Sequence, residues 1–426
     1  MSSDKIQATD KAARYPAWLE RSARKAVFGR LARIVNGRLT IEDETGRRSF
    51  GAVSDACPLD ATITVDAPRF YVDTMLGGNV GAAESYITGA WHASDLTTVM
   101  RIMVRNRHVL QRMHGITSLP QDAARIAAYW LARNTRRGSR RNIVAHYDLG
   151  NEFFTLFLDK TMMYSSAIFE RDDMTLEEAS QAKLDRICRK LCLGPDDHVV
   201  EIGTGWGGFA LHAAQNYGCR VTTTTISDAQ FALARERVRD AGLGDRIEVL
   251  REDYRDLKGS YDKAVSIEMV EAVGRRFYPA YFGALGRLLK PNGMALIQAI
   301  IIDDRLFWRA AHSVDFIKRF IFPGSCIPSI TALVNAATSG SDLRLFHLED
   351  ITPHYARTLR EWRGRFFAHI AAVRAQGYSE AFIRMWEYYL CYCEGGFLER
   401  QIGDVQMIFA KPLCRAAPIL PPLDTC

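Results

Sequence analysis

No stretch of this sequence approaches the roughly 18 consecutive apolar residues that a membrane-spanning helix needs. The most apolar segment, residues 294–302, is short and interrupted by Gln298, so it reads as a buried strand. Residues 1–18 (MSSDKIQATDKAARYPAW) carry no apolar leader segment, and no secretory signal is expected. The nine cysteines are scattered: Cys188 and Cys192 lie four apart, Cys391 and Cys393 two apart, and no CxxC meets a second CxxC or an HxxxH. That argues against a structural zinc site and fits reduced thiols in a cytoplasmic protein. Repeats and low-complexity tracts are lacking, and 48% hydrophobic with 24% charged residues excludes wholesale disorder. Acid is missing from one place in particular. Residues 101–141 hold ten arginines and a single acid, Asp122, so a segment of +9 sits in a chain of net +6 and leaves −3 elsewhere.

A chain of 426 residues has room for two or three domains. Residues 1–17 are polar and loose, and residues 18–115 read as a small α+β domain. Within it, 31–50 is expected to form a hairpin turning at Asn36-Gly37, 61–75 further strands, and 79–91 and 96–113 helices. Residues 116–141 form a basic connector. Its segment 122–133 (DAARIAAYWLAR) sets an apolar and aromatic face beside arginines, the composition of an interfacial helix. Arg133, Arg136, Arg137, Arg140 and Arg141 are the candidate membrane-docking residues. From 142 to 413 strands and helices alternate at the spacing of a doubly wound, mostly parallel α/β sheet of the Rossmann-like kind, with a helix-rich stretch over 354–397. A tail, 414–426, follows.

The clearest motif is VEIGTGWGG (200–208), a strand running into glycines and then a helix, where the backbone can turn tightly around a ligand. Glu201 just before the turn would repel phosphate and suit a cationic amino-acid cofactor, which points to S-adenosyl-L-methionine rather than a dinucleotide. Thr225, Ile226 and Gln230 follow the next strand, where hydroxyls and an amide can hold ribose. Asp253 and Tyr254 follow the third, where a carboxylate and a ring can hold adenine. Three such features at three successive strand ends carry more weight than any one of them.

With these residues in place, the chain resembles the cyclopropane-fatty-acyl-phospholipid synthases and mycolic-acid methyltransferases. The matching blocks are HYDLGNEFF (146–154), MMYSSAIF (162–169), VEIGTGWGGFA (200–210), DYRDL (253–257), SIEMVEAVG (266–274), FIFPGSCIPS (320–329), HYARTLREW (354–362) and YYLCYCEGGFLERQIGDVQ (388–406). The resemblance implies methyl transfer from S-adenosyl-L-methionine to a cis double bond of a phospholipid acyl chain. It implies a lipid-associated N-terminal domain, and a homodimer would agree with it. It assigns Tyr164, Ser165, Gly203, Gly205, Thr225, Ile226, Gln230, Asp253 and Tyr254 to the cofactor. It assigns Glu271 and Tyr355 to a bicarbonate ion beside the reacting carbons. Two positions depart: Ser166 stands where the cyclopropane synthases carry cysteine, and Gln298 where they carry histidine. Two carboxylates, Glu268 and Glu394, appear where many of them have small residues. The set resembles a sister branch that makes methylene- or methyl-branched chains, including those feeding furan fatty acids.

An alkene is a weak nucleophile, so the methyl donor must be held close and in line. The transfer leaves a carbocation. Aromatic faces can stabilise it by roughly 0.5–2 kcal/mol, and Tyr164, Phe169, Tyr355, Phe320 and Trp386 are the candidates. One proton must then leave. Loss from the new methyl closes a cyclopropane, and loss from a neighbouring chain carbon keeps an alkene. A built-in carboxylate, Glu268 or Glu394, is expected to replace bicarbonate as the acceptor, oriented by Glu271 and Tyr355; alternatively Glu394 is an ion-pair partner of nearby arginines. His146 is more simply structural, Asp303 and Asp304 more simply solvated, and no metal is expected. Two other classes compete: a nucleic-acid methyltransferase, which the arginines favour but which lacks an NPPY-type block for a flipped base, and a lipid-binding partner without chemistry. The expected setting is the cytoplasmic face of a membrane, docked peripherally on anionic, unsaturated phospholipid, with no nucleic-acid partner. Replacing Arg136, Arg137, Arg140 and Arg141 together with alanine is expected to weaken binding to anionic vesicles by at least about tenfold, each charge contributing about 1 kcal/mol near such a surface. Co-sedimentation unchanged by the four substitutions refutes the docking role.

Overall fold

The computed structural model describes residues 15–107 and 149–420. The five docking arginines, His146 and the helix expected over 122–133 lie outside the described residues. Among the described residues, one compact unit takes 15–107, 312–323 and 359–401, and the other takes 149–311, 324–358 and 402–420. The contiguous spans expected from the sequence, 18–115 and 142–413, differ from this: segments 312–323 and 359–401 group with the N-terminal residues.

The first unit opens with a helix, Ala17–Leu31, which buries Ala23, Val27, Phe28 and Leu31. Its sheet has the order β2-β1-β3-β4, from β1 (Gly37–Asp43), β2 (Gly46–Ala52), β3 (Asp60–Val65) and β4 (Trp91–Ala93). Leu39, Ile41, Phe50, Ala61, Ile63 and Trp91 are buried. The hairpin does not turn at Asn36-Gly37. Asp43 faces Gly46, so the turn is Glu44-Thr45, and Gly37 instead starts β1. The residues before Asn36 belong to a helix end and supply no strand for an Asn-Gly turn to join. Only the first part of 61–75 is strand, because a helix begins at Arg69 and runs to Ile87 through a kink at Gly78 (φ 57°).

The second unit holds a seven-stranded sheet. Its strands are β5 (His198–Ile202), β6 (Arg220–Thr224), β7 (Ile247–Leu250), β8 (Tyr261–Ile267), β9 (Leu289–Ile302), β10 (Arg344–Asp350) and β11 (Ile402–Ala410), in the order β10-β11-β9-β8-β5-β6-β7. β5 to β9 are mutually parallel, whereas β11 runs antiparallel to β9 and to β10. Neighbouring residues enter opposite apolar layers: Val200, Ile297 and Phe409 join one cluster, and Val199, Leu296 and Ile408 the other. Both faces of the sheet are therefore covered, which explains why these strands read as continuous apolar runs. Strand order reverses between β5 and β8, the place where open α/β sheets bind ligands beyond their carboxyl ends.

Two polar groups are sunk into the layer that includes Val199. Glu201 is buried and accepts from the Thr223 hydroxyl at 2.6 Å, and the Thr204 hydroxyl lies 2.7 Å from that of Thr223. Lys183, on the helix Leu176–Lys190, is also buried and donates to the Ser165 hydroxyl at 2.7 Å. Burial pushes the Glu201 carboxyl up from 4.5 to about 8, against the pull of Thr223 and Lys183. The native state thus keeps a proton that the unfolded chain releases. The stabilisation is complete below about pH 4.5 and fades as pH rises to about 8. Lys183, pushed down by its own burial to about 8, acts above that window. Glu201→Gln, which does not titrate, is expected to flatten the fall in Tm between about pH 5 and 8. A wild-type slope retained by the variant in thermal melts contradicts the assignment.

Candidate active site

The carboxyl end of β5 carries Gly203, Gly205 and Gly207 at φ 101°, 52° and 85°, values at which a side chain is strained. The Gly203 and Thr204 N–H groups donate to the Thr224 carbonyl, which pins the turn to the end of β6. A Cβ at Gly205 would meet nothing within 4 Å, so the turn presents an open cradle. A Cβ at Gly208 would lie 2.7 Å from both Met163 Sδ and the Thr161 carbonyl. The turn is therefore pressed against the irregular segment that leads into Tyr164 and Ser165. Arg237 locks the two together by donating to the carbonyls of Trp206 (2.6 Å), Lys160 (3.0 Å) and Thr161 (3.2 Å). After β6, Thr225 donates to Gln230 at 2.9 Å, with Ile226 between them half-buried. After β7, Asp253 grips Arg255, and half-buried Tyr254 stands edge-on to Tyr281.

All nine expected cofactor residues thus belong to the second unit, and seven of them sit at the ends of three adjacent parallel strands. An open glycine cradle with hydroxyls, an amide and a carboxylate fits a nucleoside that bears an amino acid. Glu201 contributes differently from the expectation, since its carboxyl is turned into the sheet and engaged by Thr223.

At the end of β8 the chain passes through Glu268 with φ 48°, a left-handed backbone that costs a non-glycine residue about 1–2 kcal/mol. Such strain persists where surrounding structure over-determines it, and it clusters at functional sites. The surroundings here are specific. Glu268 Oε1 accepts from the Ser166 backbone N–H (2.8 Å) and from Gln298 Nε2 (2.8 Å), and Oε2 accepts from the Tyr355 hydroxyl (2.6 Å). Tyr355, tied by resemblance to a bicarbonate site, and the two departing positions, 166 and 298, thus converge on one protein carboxylate. Ser166 serves through its amide, while its hydroxyl donates to the Ala167 carbonyl at 3.0 Å. The fourth, Glu271, accepts from the Ile300 N–H and is pushed up to about 8 by burial and then by Glu268. Its other oxygen meets no donor among the described residues. Glu268 remains partly accessible, whereas Ser166 and Gln298 are fully enclosed and Tyr355 and Glu271 nearly so. Desolvation raises its pKa, against the donors and Lys183, as suits a proton acceptor working near neutral pH.

Glu394 is not part of this group. It belongs to the first unit, where its buried carboxylate accepts from Thr97 (3.1 Å), Arg360 (3.1 Å) and Arg363 (2.9 Å). A carboxylate between two guanidinium groups is a structural ion pair, so of the two readings of Glu394 the ion-pair partner holds and the base does not. Among the aromatics, Phe169 already has the Arg357 guanidinium 3.9 Å from its ring centre. Phe320 and Trp386 lie in the first unit, packed against Phe316 and against Phe382 and Tyr389. Tyr164 and Tyr355 remain with the site. Asp303 is engaged by Arg305, and Asp304 accepts from the Thr331 N–H.

Sequence reasoning missed Asp404, Gln406 and Lys183. Gln406 faces Gln298 across β11 and β9, and Asp404 lies two residues along the same strand, hence on the same face. Gln298 Nε2 bonds both Glu268 and Asp404, the latter at 3.0 Å. The signal was available: polar residues spaced by two within apolar strands, and a lysine on the apolar stripe of a helix.

The profile of the mycolic acid cyclopropane synthetase family matches residues 134–407. The tuberculostearic acid methyltransferase UfaA1 of Mycobacterium tuberculosis is 38% identical over 331 residues, 75% of this chain and 76% of that one. The cyclopropane-fatty-acyl-phospholipid synthase of Escherichia coli K12 is 36% identical over 374 residues, 87% of this chain and 93% of the other. Among solved structures, the mycolic acid cyclopropane synthase CmaA1 complexed with SAH and CTAB is 32% identical, with a TM-score of 0.60 over 64% of this chain and 98% of that one. The cyclopropane synthase MmaA2 from Mycobacterium tuberculosis gives 31% identity and the same TM-score over the same shares. With the glycine cradle at β5 and the matching profile, the chain belongs to the mycolic acid cyclopropane synthetase family, enzymes that use S-adenosyl-L-methionine to methylate unsaturated fatty acyl chains.

Proposed function

We propose that this enzyme methylates the cis double bond of an acyl chain carried by a membrane phospholipid, and that Glu268 takes up the proton that must then leave. The convergence of Ser166, Gln298 and Tyr355 on the Glu268 carboxylate carries this reading. Bound at the cradle, S-adenosyl-L-methionine supplies an electrophilic methyl group. The rest falls to side chains. Tyr355, Gln298 and the Ser166 amide hold Glu268 in one orientation, and Oε2 takes up a proton from a carbon next to the cationic centre as the Tyr355 hydroxyl turns aside to free the lone pair. The electrons of that C–H bond then form the new bond of the product.

A base fixed to the chain at the end of β8 has a single reach. We assign the product as a branched chain that retains a C=C bond, in line with both departures from the cyclopropane pattern, Ser166 and Gln298, and with relatives named as fatty acid methyltransferases. Closure to a cyclopropane is the second reading, favoured by the likeness to the Escherichia coli synthase over 93% of its length. Among the described residues no helix is long and apolar enough to cross a membrane. Access to a bilayer at its cytoplasmic face falls to peripheral contacts, for which the arginines at 133, 136, 137, 140 and 141 supply the charge.

The test is incubation with S-adenosyl-L-methionine and vesicles of cis-monounsaturated phospholipid, followed by mass spectrometry of the acyl chains before and after mild hydrogenation. The expected product is heavier by CH₂ and takes up hydrogen; one that resists hydrogen is a cyclopropane and overturns the product assignment. Glu268→Gln is expected to lower kcat by about 10²–10⁴-fold, the usual contribution of a general base, with cofactor binding retained in calorimetry. Wild-type turnover by this variant removes Glu268 from the chemistry.

A further inference from the structure

We propose that Asp404 and Glu268 form a carboxyl pair holding one proton between them, with Asp404 the protonated member that positions Glu268 as the acceptor. This rests on the reading of Glu268 as the base. Hydrogen-bond polarity leads to it from a distance. Arg186 and Lys190 fix Glu349, and the Lys190 ammonium also donates to Gln406 Oε1 at 2.7 Å. That donation settles the Gln406 amide: its NH₂ must point the other way, and it donates to Gln298 Oε1 at 3.1 Å. The NH₂ of Gln298 must in turn face Glu268 and Asp404, which it does at 2.8 and 3.0 Å. A chain of donors that begins at an ammonium thus ends between two carboxyl groups.

Asp404 cannot be an ordinary carboxylate there. It is fully enclosed, Oδ2 has the Gln298 donor, and Oδ1 has no donor among the described residues. An ionised group with an unmet oxygen, sharing one amide donor with a second carboxylate, is strongly unfavourable in such surroundings. A proton on Asp404 removes the conflict, because the acid becomes a donor to Glu268. The charged and titratable groups facing the pair are Glu271, Lys183 and Tyr355. Burial, then Glu268 and Glu271, raise Asp404 well above the usual carboxylic range, while Lys183 opposes this. With Asp404 neutral, one ammonium, Lys183, faces one carboxylate, Glu268.

During turnover the C–H bond beside the cationic carbon breaks, its electron pair enters the product, and its proton goes to Glu268. The pair passes from one proton to two, and from charge −1 to neutral, as the substrate cation is discharged. Aspartate at 404 is therefore a positioning residue, and its neutral isostere can take its place. Asp404→Asn is expected to keep kcat within about tenfold of wild type, and Asp404→Leu, which removes the donor, to lose about a hundredfold, within the range for general-base catalysis.

The readout that a merely structural role would not move is infrared spectroscopy of the resting protein near pH 7. Wild type minus Asp404→Asn is expected to show the C=O stretch of one protonated carboxyl, shifted in D₂O. Absence of that band, or equal activity of Asp404→Leu and wild type, overturns the pair. Should Asp404→Leu not fold, the Asn variant and the infrared difference still decide. If Glu268→Gln turns over like wild type while the band is present, the base reading fails and the pair stands as a structural feature. If Glu268→Gln is inactive and the band is absent, the base stands and the pair fails.

Discussion

A largely buried carboxylate must be met by donors or it will not stay ionised, and the site end of the seven-stranded sheet is organised around that requirement at Glu268. Hydrogen bonds to a charged group contribute about 1.5–3 kcal/mol each. Three of them, from the Ser166 amide, the Gln298 amide and the Tyr355 hydroxyl, offset both the desolvation and the left-handed backbone at residue 268. The donors come from separate places: a loop before the first strand of the sheet, the middle of β9 and the start of the helix Thr352–Ala368. Each is fixed by elements with other reasons to be where they are. The strain at Glu268 is therefore held by the whole sheet end rather than by one neighbour.

Much of this was legible because it repeats locally. Strand–helix alternation, the glycine turn and the hydroxyls and acids at strand ends all lie within short windows, and each carries its own backbone signature. The hairpin at Asn36-Gly37 failed for the complementary reason: the dipeptide permits a turn, but partner strands on both sides decide it, and only the far side has one. Glu394 stays open in the sequence between base and ion-pair partner because a carboxylate in a family block has the same letters whether it faces a substrate or two arginines. Burial between Arg360 and Arg363 is a tertiary fact. Asp404 lay hidden because its meaning depends on the register of β11 against β9, which sequence spacing alone does not set.

That register also explains why the polar residues here do not stand alone. Gln298, Gln406 and Asp404 are sunk in strands whose neighbours are Leu296, Ile297, Met407 and Ile408, all fully buried. Each polar group is costly in such a layer unless it is paired. They are tolerated as a connected set, entered from Lys190 and Glu349 at one end and closed by Glu268 at the other. Removing a member from the middle strands its neighbours, so the set behaves as one unit.

The two departures from the cyclopropane pattern meet Glu268 in different ways. Residue 166 acts through its backbone N–H, so a hydroxyl in place of a thiol leaves the contact to Glu268 untouched. Residue 298 is different, since its side chain must serve two carboxyl groups at once and accept from Gln406 as well. A primary amide has two N–H donors on one nitrogen and an acceptor on the other side. A neutral imidazole has one N–H, and as a cation it has two on opposite sides of the ring and no acceptor. Histidine at 298 would leave either Asp404 or Gln406 unmet. With Glu268 and Asp404 both present, glutamine is the side chain whose hydrogen-bonding capacity matches the position.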